Sequence, residues 1–417
     1  MKKPSAKVLV AGLAATAVSL SLFGSASADD PFVATGLKAP RGITSIGHQV
    51  LIAEQGSGRI VRISDSGTKT VIASGLPTTI ADTPEGPLAA GPDAVIQVGS
   101  VYYFTVGESG TDKGFDSVYS VTEGGKAQLI AELLPIEKAN NFDGGFESPG
   151  KPELIVNAYD LAWDGKNGLF VSASGANTIF HVSLDGKVKP YAIFKERPNP
   201  LFPGLGGPTM DTVPTGIAVG PDGALYVSTL TGFPFPQGGA VVYRMEDKDK
   251  DGDAMEPGET TVFASGLSTA TDLAFDKDGS LLVAQFSLDM LSEAPGNVVR
   301  IKNGVTSVVG APLVSPTGIT VLADGTILVA QEFLGVVADI NSATAIVKSA
   351  GGPGGPGGAP AGGPATPPPS GGTVRPPSTG DAGLADSDGA NAWLPVAALL
   401  AVMATVGGGV LAVSRNR

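Results

Sequence analysis

Apolar residues along this chain gather into short runs rather than helical stripes, and each run stands behind a turn. Gly220-Pro221-Asp222-Gly223 leads into Ala224-Leu225-Tyr226-Val227, and Ala323-Asp324-Gly325 into Thr326-Ile327-Leu328-Val329. A Gly or Asp-Gly turn before a β-rich run is a hairpin signal. Ahead of the turns one phrase recurs six times: Pro40-Arg41-Gly42-Ile43, Pro92-Asp93-Ala94-Val95, Tyr159-Asp160-Leu161-Ala162, Pro214-Thr215-Gly216-Ile217, Thr271-Asp272-Leu273-Ala274 and Pro316-Thr317-Gly318-Ile319. A third strand follows, as in Arg59-Ile60-Val61-Arg62-Ile63 and Asn297-Val298-Val299-Arg300-Ile301. A fourth closes the unit, as in Thr70-Val71-Ile72-Ala73-Ser74-Gly75-Leu76 and Thr261-Val262-Phe263-Ala264-Ser265-Gly266-Leu267. Four strands repeated at intervals of roughly fifty residues predict an all-β fold, a six-bladed β-propeller.

The segment Pro31-Phe32-Val33-Ala34-Thr35-Gly36-Leu37 copies the fourth-strand phrase although no blade precedes it. The last blade, from Pro316 through Val336-Val337-Ala338-Asp339-Ile340, lacks a clear fourth strand of its own. The N-terminal strand is therefore expected to close that blade, which removes the open sheet edges. One domain over 29–348 results.

Both ends read as addressing segments. Residues 1–28 carry Lys2, Lys3 and Lys7, an apolar run from Val8 to Phe23, and small residues at Ala26 and Ala28, the pattern of a secretory signal peptide. Trp393 to Val413 is 21 residues without a charge, long enough as a helix to span a bilayer. The basic tail 414–417 places the C-terminus inside and the domain outside. Residues 349–392 form a Gly- and Pro-rich tether. Within it Pro376-Pro377-Ser378-Thr379-Gly380 resembles the LPxTG sorting signal of Gram-positive surface proteins, with Pro376 in the leucine position. A sortase is the partner this implies, and a plain membrane-anchored stalk is the other reading. Either way the protein is expected to be secreted and held at the cell membrane or wall.

Composition narrows the function. With no cysteine, no disulfide framework holds the chain and no thiolate nucleophile exists. The net charge is −13; setting aside Lys2, Lys3, Lys7, Arg415 and Arg417 leaves 22 basic against 40 acidic residues, or −18. Such a surface excludes nucleic acid as a partner and attracts cations.

The blades resemble NHL-type six-bladed propellers. Phrases such as Ala73-Ser74-Gly75-Leu76 and Pro214-Thr215-Gly216-Ile217-Ala218-Val219 look like the ScyD/ScyE family of secreted bacterial proteins, over nearly the whole ectodomain. That resemblance implies a fold and names no chemistry.

In a propeller the connections between blades and the second-to-third-strand loops share one face, here called the mouth, which is the expected site of an extracellular ligand. Three insertions fall there: Pro77 to Gly91, Glu137 to Glu153, and Lys195 to Val213. So does Phe233-Pro234-Phe235-Pro236, aromatics and prolines that either grip a sugar or peptide or pack on their neighbours. Polar candidates around the axis are Glu54, Asp93, Glu108, Asp160, Asn177, Asp272 and Glu332. Either they hold a metal or polar substrate, as in calcium-dependent six-bladed lactonases, or they fix turns through backbone hydrogen bonds. The two histidines, His48 in an opposite-face turn and His181 in a third strand, are expected to stay out of the mouth, which leaves carboxylates and metal for any enzyme. Two functions follow: a ligand-binding or scaffold module, and a metal-dependent, lactonase-like hydrolase.

The sharpest local motif is Asp247-Lys248-Asp249-Lys250-Asp251-Gly252-Asp253-Ala254-Met255-Glu256-Pro257-Gly258-Glu259. Alternate carboxylates around Gly252 resemble a calcium loop, with Asp247, Asp249, Asp251, Asp253, Glu256 and Glu259 as ligands. The twelfth position holds Gly258 instead of the bidentate glutamate, and a solvated acidic turn is the other reading. Because the loop joins the third and fourth strands of blade four, calcium there would be structural.

Overall fold

The computed structural model describes residues 32–83, 86–107, 113–142, 144, 147–148, 151–152 and 156–341. Four-stranded antiparallel sheets repeat six times around an axis. Blade one is Pro40–Ile46, Gln49–Glu54, Arg59–Ile63 and Lys69–Ser74; blade two is Pro92–Val98, Val101–Val106, Ser117–Thr122 and Gln128–Glu132. Blade three is Ala158–Trp163, Gly168–Ala173, Thr178–Ser183 and Val188–Ile193; blade four is Pro214–Val219, Leu225–Thr229, Ala240–Met245 and Thr260–Leu267. Blade five is Ala270–Phe275, Leu281–Gln285, Gly296–Lys302 and Val305–Leu313. Blade six is Pro316–Val321, Ile327–Gln331 and Val336–Asp339, completed by Phe32–Ala34 from the N-terminal side, with Phe32 opposite Ala338. Each first strand lies beside the first strand of the next blade, and blade six returns to blade one.

The second strands read as continuous apolar runs because both of their faces are covered. Leu51 and Ala53 pack with Val95 and Phe104 of blade two, while Val50 and Ile52 pack with Leu328 and Ala330 of blade six. One buried cluster fills each of the six blade interfaces in the same way. At roughly 25 cal/mol per Å² of apolar area removed from water, these interfaces are the main source of stability.

The repeat needs one adjustment of register. Strand pairing sets Ile43 opposite Ile52, Val95 opposite Phe104, Leu161 opposite Val171, Ile217 opposite Val227, Leu273 opposite Val283 and Ile319 opposite Val329. The equivalent phrases in blades three and five are therefore Ala158-Tyr159-Asp160-Leu161 and Ala270-Thr271-Asp272-Leu273, one residue earlier than the sequence suggests. A bulge near the start of every first strand supplies the extra residue.

Short additions decorate the connections: the pair Thr79–Thr83 with Gly86–Ala90, the helix Leu134–Asn140, and the pair Arg197–Pro198 with Thr209–Met210. The helix was not foreseen, and its last turn takes up the start of the insertion expected from Glu137. Among the described residues no helix is long and apolar enough to cross a membrane. The segments 1–28 and 349–417, with the signal, tether, sorting-like motif and apolar span, lie outside the described residues.

Candidate functional site

Five connections enter their first strand through a left-handed residue: Ala39, Asn157, Val213, Thr269 and Ser315, with φ of 47°, 49°, 53°, 36° and 44°. Left-handed backbone is uncommon in non-glycine residues and costly for β-branched Val213 and Thr269, so the surrounding structure enforces it. The second residues of the six first strands form one ring at the mouth end of the axis, Arg41, Asp93, Tyr159, Thr215, Thr271 and Thr317, and the bend precedes all of them but Asp93.

The threonine half of that ring is satisfied internally. Thr215 Oγ1 donates to the Ala270 carbonyl (2.8 Å), Thr271 Oγ1 to that of Pro316 (3.0 Å), and Thr317 Oγ1 lies 3.2 Å from the carbonyls of both Pro40 and Arg41. One residue deeper, Asp160 accepts the amides of Leu161 (2.7 Å) and Ile217 (2.9 Å), and Asp272 those of Leu273 (2.7 Å) and Ile319 (2.8 Å). Each carboxylate thus ties its blade to the next. Blades one, four and six carry Gly42, Gly216 and Gly318 at this position, where a Cβ would strike the neighbouring backbone. Burial lifts Asp160 to about 7, and burial with the Asp160 charge lifts Asp272 well above the usual carboxylate range.

Glu54 is also a tie. Its Oε1 accepts the Lys38 amide (3.0 Å) and Lys69 Nζ (3.3 Å), and its Oε2 faces Arg59 Nη2 (2.8 Å) and accepts from Ser57 Oγ (3.0 Å). Gln285 and Gln331 occupy the same position in blades five and six, and their Oε1 atoms accept the equivalent amides of Ser268 (2.6 Å) and Val314 (2.9 Å). Asn177 binds the Val213 amide through Oδ1 (2.9 Å) and Asp211 through Nδ2 (3.1 Å). Of the seven expected mouth residues, Glu54, Asp160, Asn177 and Asp272 therefore hold the frame, Asp93 and Glu332 stand at the axis, and Glu108 lies outside the described residues.

Asp93 and Glu332 meet on Arg41, which the sequence had shown only as part of the repeat. Arg41 Nε lies 3.4 Å from Asp93 Oδ1, and Arg41 Nη1 is 3.3 Å from Glu332 Oε2. The guanidinium carbon sits 4.8 Å from the centroid of the Tyr159 ring. All four side chains are buried. Burial disfavours the Arg41 cation, but Tyr159, Glu332 and Asp93 together outweigh it and raise its pKa. Burial lifts Asp93 to about 7 against the opposing pull of Arg41, and raises Glu332 and the Tyr159 hydroxyl as well.

Gln55 completes this half by donating from Nε2 to Asp93 Oδ1. Gly107 leaves room for the other Asp93 oxygen, since a Cβ there would collide with Oδ2. Three buried polar atoms then have no hydrogen bond of ordinary geometry: Arg41 Nε, Gln55 Oε1 and the Tyr159 hydroxyl. Tyr159 marks the boundary with an apolar half, because it belongs to a cluster with Val213, Leu230, Phe235, Phe286 and Met290 from the mouth loops of blades three to five. Exposed rings extend that half outward: Phe233 packs edge-to-face on Phe235, and Phe333 on Phe286. Gly206 of the 195–213 insertion lies against Phe233 and Pro234.

Among the described residues, sets of three acidic side chains with ligand oxygens within 4.8 Å of one another occur only in the 247–259 turn: Asp247, Asp249 and Asp251; Asp249, Glu256 and Glu259; Asp251, Asp253 and Glu256. The turn joins Ala240–Met245 to Thr260–Leu267, on the face opposite the mouth. Gly252 takes φ 101° at the sharp bend, and the Ala254 amide donates to the Tyr191 carbonyl of blade three (2.8 Å). Glu259 is buried and accepts the amides of Lys248 (2.7 Å) and Glu256 (3.3 Å), so it anchors the turn from the thirteenth position. Lys248 Nζ donates to the Gly258 carbonyl (2.6 Å), away from the carboxylates. His48 and His181 stay out of the mouth, beside Asp324 (3.8 Å) and Asp164 (2.9 Å).

No family model matches the chain, and no curated protein does. Among solved structures it is similar to virginiamycin B lyase from Staphylococcus aureus, at 18% identity over 71% of this chain and 78% of that one with a TM-score of 0.42. It is also similar to regucalcin, a calcium-binding protein from Agrobacterium tumefaciens, at 15% identity over 74% and 92% with a TM-score of 0.45. A third is the PQQ-bound aldose sugar dehydrogenase from Streptomyces coelicolor, at 13% identity over 74% and 95%, TM-score 0.45. The assignment of six blades rests on this chain's own strand pairing.

Proposed function

We propose that this is an extracellular, surface-tethered propeller that binds a ligand at the mouth end of its axis. The observation that carries the proposal is the local shortfall of hydrogen bonds at Arg41 Nε, Gln55 Oε1 and the Tyr159 hydroxyl. A buried polar atom without a partner costs about 1–3 kcal/mol, and native structures rarely leave several together unless a ligand or water completes them. The threonine half of the same ring leaves no such shortfall. The surface address is supported by the sequence of the two ends and by the ectodomain charge of −18.

The test is a ligand-observed NMR screen of the chain against a panel of small polar and amphiphilic compounds, repeated with Tyr159→Phe, which keeps the ring and removes the hydroxyl. Hits that weaken severalfold in the variant support the proposal; hits that bind wild type and variant alike contradict it.

A structural calcium in the 247–259 turn is the second part of the reading, supported by three overlapping sets of three acidic side chains around the bend at Gly252. A hydrolase built on a mouth-bound metal has less support, because Glu54, Asp160 and Asp272 are committed to amides or ion pairs, and Asp93 and Glu332 to Arg41.

A further inference from the structure

The two halves of the mouth constrain the ligand's chemistry, an inference that rests on the reading above. Arg41 Nε lies within ion-pair distance of Asp93 Oδ1 without a hydrogen bond of ordinary geometry, and Gln55 Nε2 donates to the same oxygen, which leaves the Gln55 Oε1 acceptor unpaired beside it. In this contact Gln55 Nε2 points at the carboxylate and Oε1 points away from it. The Tyr159 ring lies against the same guanidinium, and its hydroxyl, able to donate or accept, has no hydrogen bond of ordinary geometry.

Formal charge at this spot is already matched or exceeded, with Asp93 and Glu332 both facing Arg41. An anionic head would compete with two carboxylates for one guanidinium, and a cationic head would meet Arg41 at close range. An uncharged head with an acceptor and a donor side by side suits the free atoms better, and an amide is the simplest such group: its carbonyl accepts from Arg41 Nε and its N–H donates to Gln55 Oε1. Beyond Tyr159 the wall turns apolar. Phe235 and Phe286 are buried there, and Phe233 and Phe333 present their rings at the rim with 39% and 48% exposure. Exposed aromatics rimming a polar centre are the usual dress of a binding site.

We infer that the mouth takes an uncharged amide attached to a large apolar group, with the amide at Arg41, Gln55 and Tyr159 and the apolar group against Phe233, Phe286 and Phe333. The amide supplies the missing hydrogen bonds, and the apolar group covers the rim.

The experiment titrates the chain with four probes: N-acetylphenylalaninamide, N-acetylglycinamide, phenylacetate and phenethylamine. It repeats the titrations with Tyr159→Phe and with Phe333→Ala, whose side chain is half exposed and whose loss leaves the core intact. The first probe is expected to bind at least about tenfold more tightly than the other three, a difference of about 1.4 kcal/mol. Both variants should weaken it severalfold. Equal binding by N-acetylglycinamide, or tighter binding by either charged phenyl compound, overturns the amide-plus-apolar assignment. If a charged compound binds and is weakened by the variants, the mouth remains a ligand site and only the ligand class is wrong. If no probe's binding responds to either variant, both the ligand class and the mouth reading fall.

Discussion

Glu54, Gln285 and Gln331 show how one position is reused. Each accepts the amide two residues before a first strand, and each needs a partner for its remaining polar atom. Glu54 has Arg59, and Gln285 donates to Asn297 Oδ1 at 2.7 Å. Gln331 faces Val336, so its Nε2 is left unpaired. Val336→Asn should therefore cost less than about 1 kcal/mol, the new hydrogen bond offsetting lost apolar burial. The same change at neighbouring Val337, fully buried among blade-six and blade-one residues, should cost about 3 kcal/mol or more, and urea denaturation distinguishes them. Gly107→Ala should destabilise the fold by roughly 1–3 kcal/mol through its collision with Asp93. The buried carboxyls also set a pH dependence. Asp93 and Asp160 are each lifted to about 7, and Asp272 and Glu332 are raised too, so the folded state holds protons that the unfolded chain releases near pH 4. Their stabilisation is full below the unfolded value and is lost as pH rises through the folded value. The melting temperature should consequently be higher at pH 5 than at pH 8, and the reverse order would refute these directions. At this scale the sequence was only partly legible. Aspartates 93, 160 and 272 invite alignment on their shared carboxylate, whereas the strands align on the apolar residue after the bulge. That one-residue difference in blades three and five hid Tyr159 as a ring partner of Asp93 and made Asp160 and Asp272 look like channel residues rather than blade ties.

Whole strands were far easier to read. Second strands are covered on both faces and must be apolar throughout, and the turns before them need Gly at positive φ, as at Gly223 and Gly325 with φ of 81° and 98°. The closing role of Phe32–Ala34 was visible for the same reason, as a fourth-strand phrase with no blade in front of it. Helix Leu134–Asn140 was invisible, because its seven residues carry no amphipathic repeat long enough to stand out. The 247–259 turn was legible as a motif, but the use of Glu259 as its buried anchor follows only from the amides it accepts. If this turn holds a structural ion, EDTA should lower the melting temperature, added calcium should restore it, and Asp249→Asn should abolish the response. An EDTA response that persists in the variant would move the ion elsewhere. Removal of residues up to Ala34 should open blade six and cost several kcal/mol, read as a lower denaturation midpoint.

At the scale of the molecule, six similar blades carry one dissimilar mouth. Blades four to six give the axis threonines whose hydroxyls are spent on the next blade, whereas blades one to three give it Arg41, Asp93 and Tyr159, and blade six adds Glu332 from its loop. Such asymmetry in a near-symmetric frame marks where function departs from folding, because the frame alone is satisfied by threonine. The most direct measurement compares binding of N-acetylphenylalaninamide to the wild type, to Phe333→Ala at the mouth rim, and to Val305→Ser on the outer strand of blade five, an exposed position far from the axis. Severalfold weaker binding in the rim variant with unchanged binding in the outer-strand variant is the predicted result. Equal affinity in all three proteins would contradict the mouth as the ligand site.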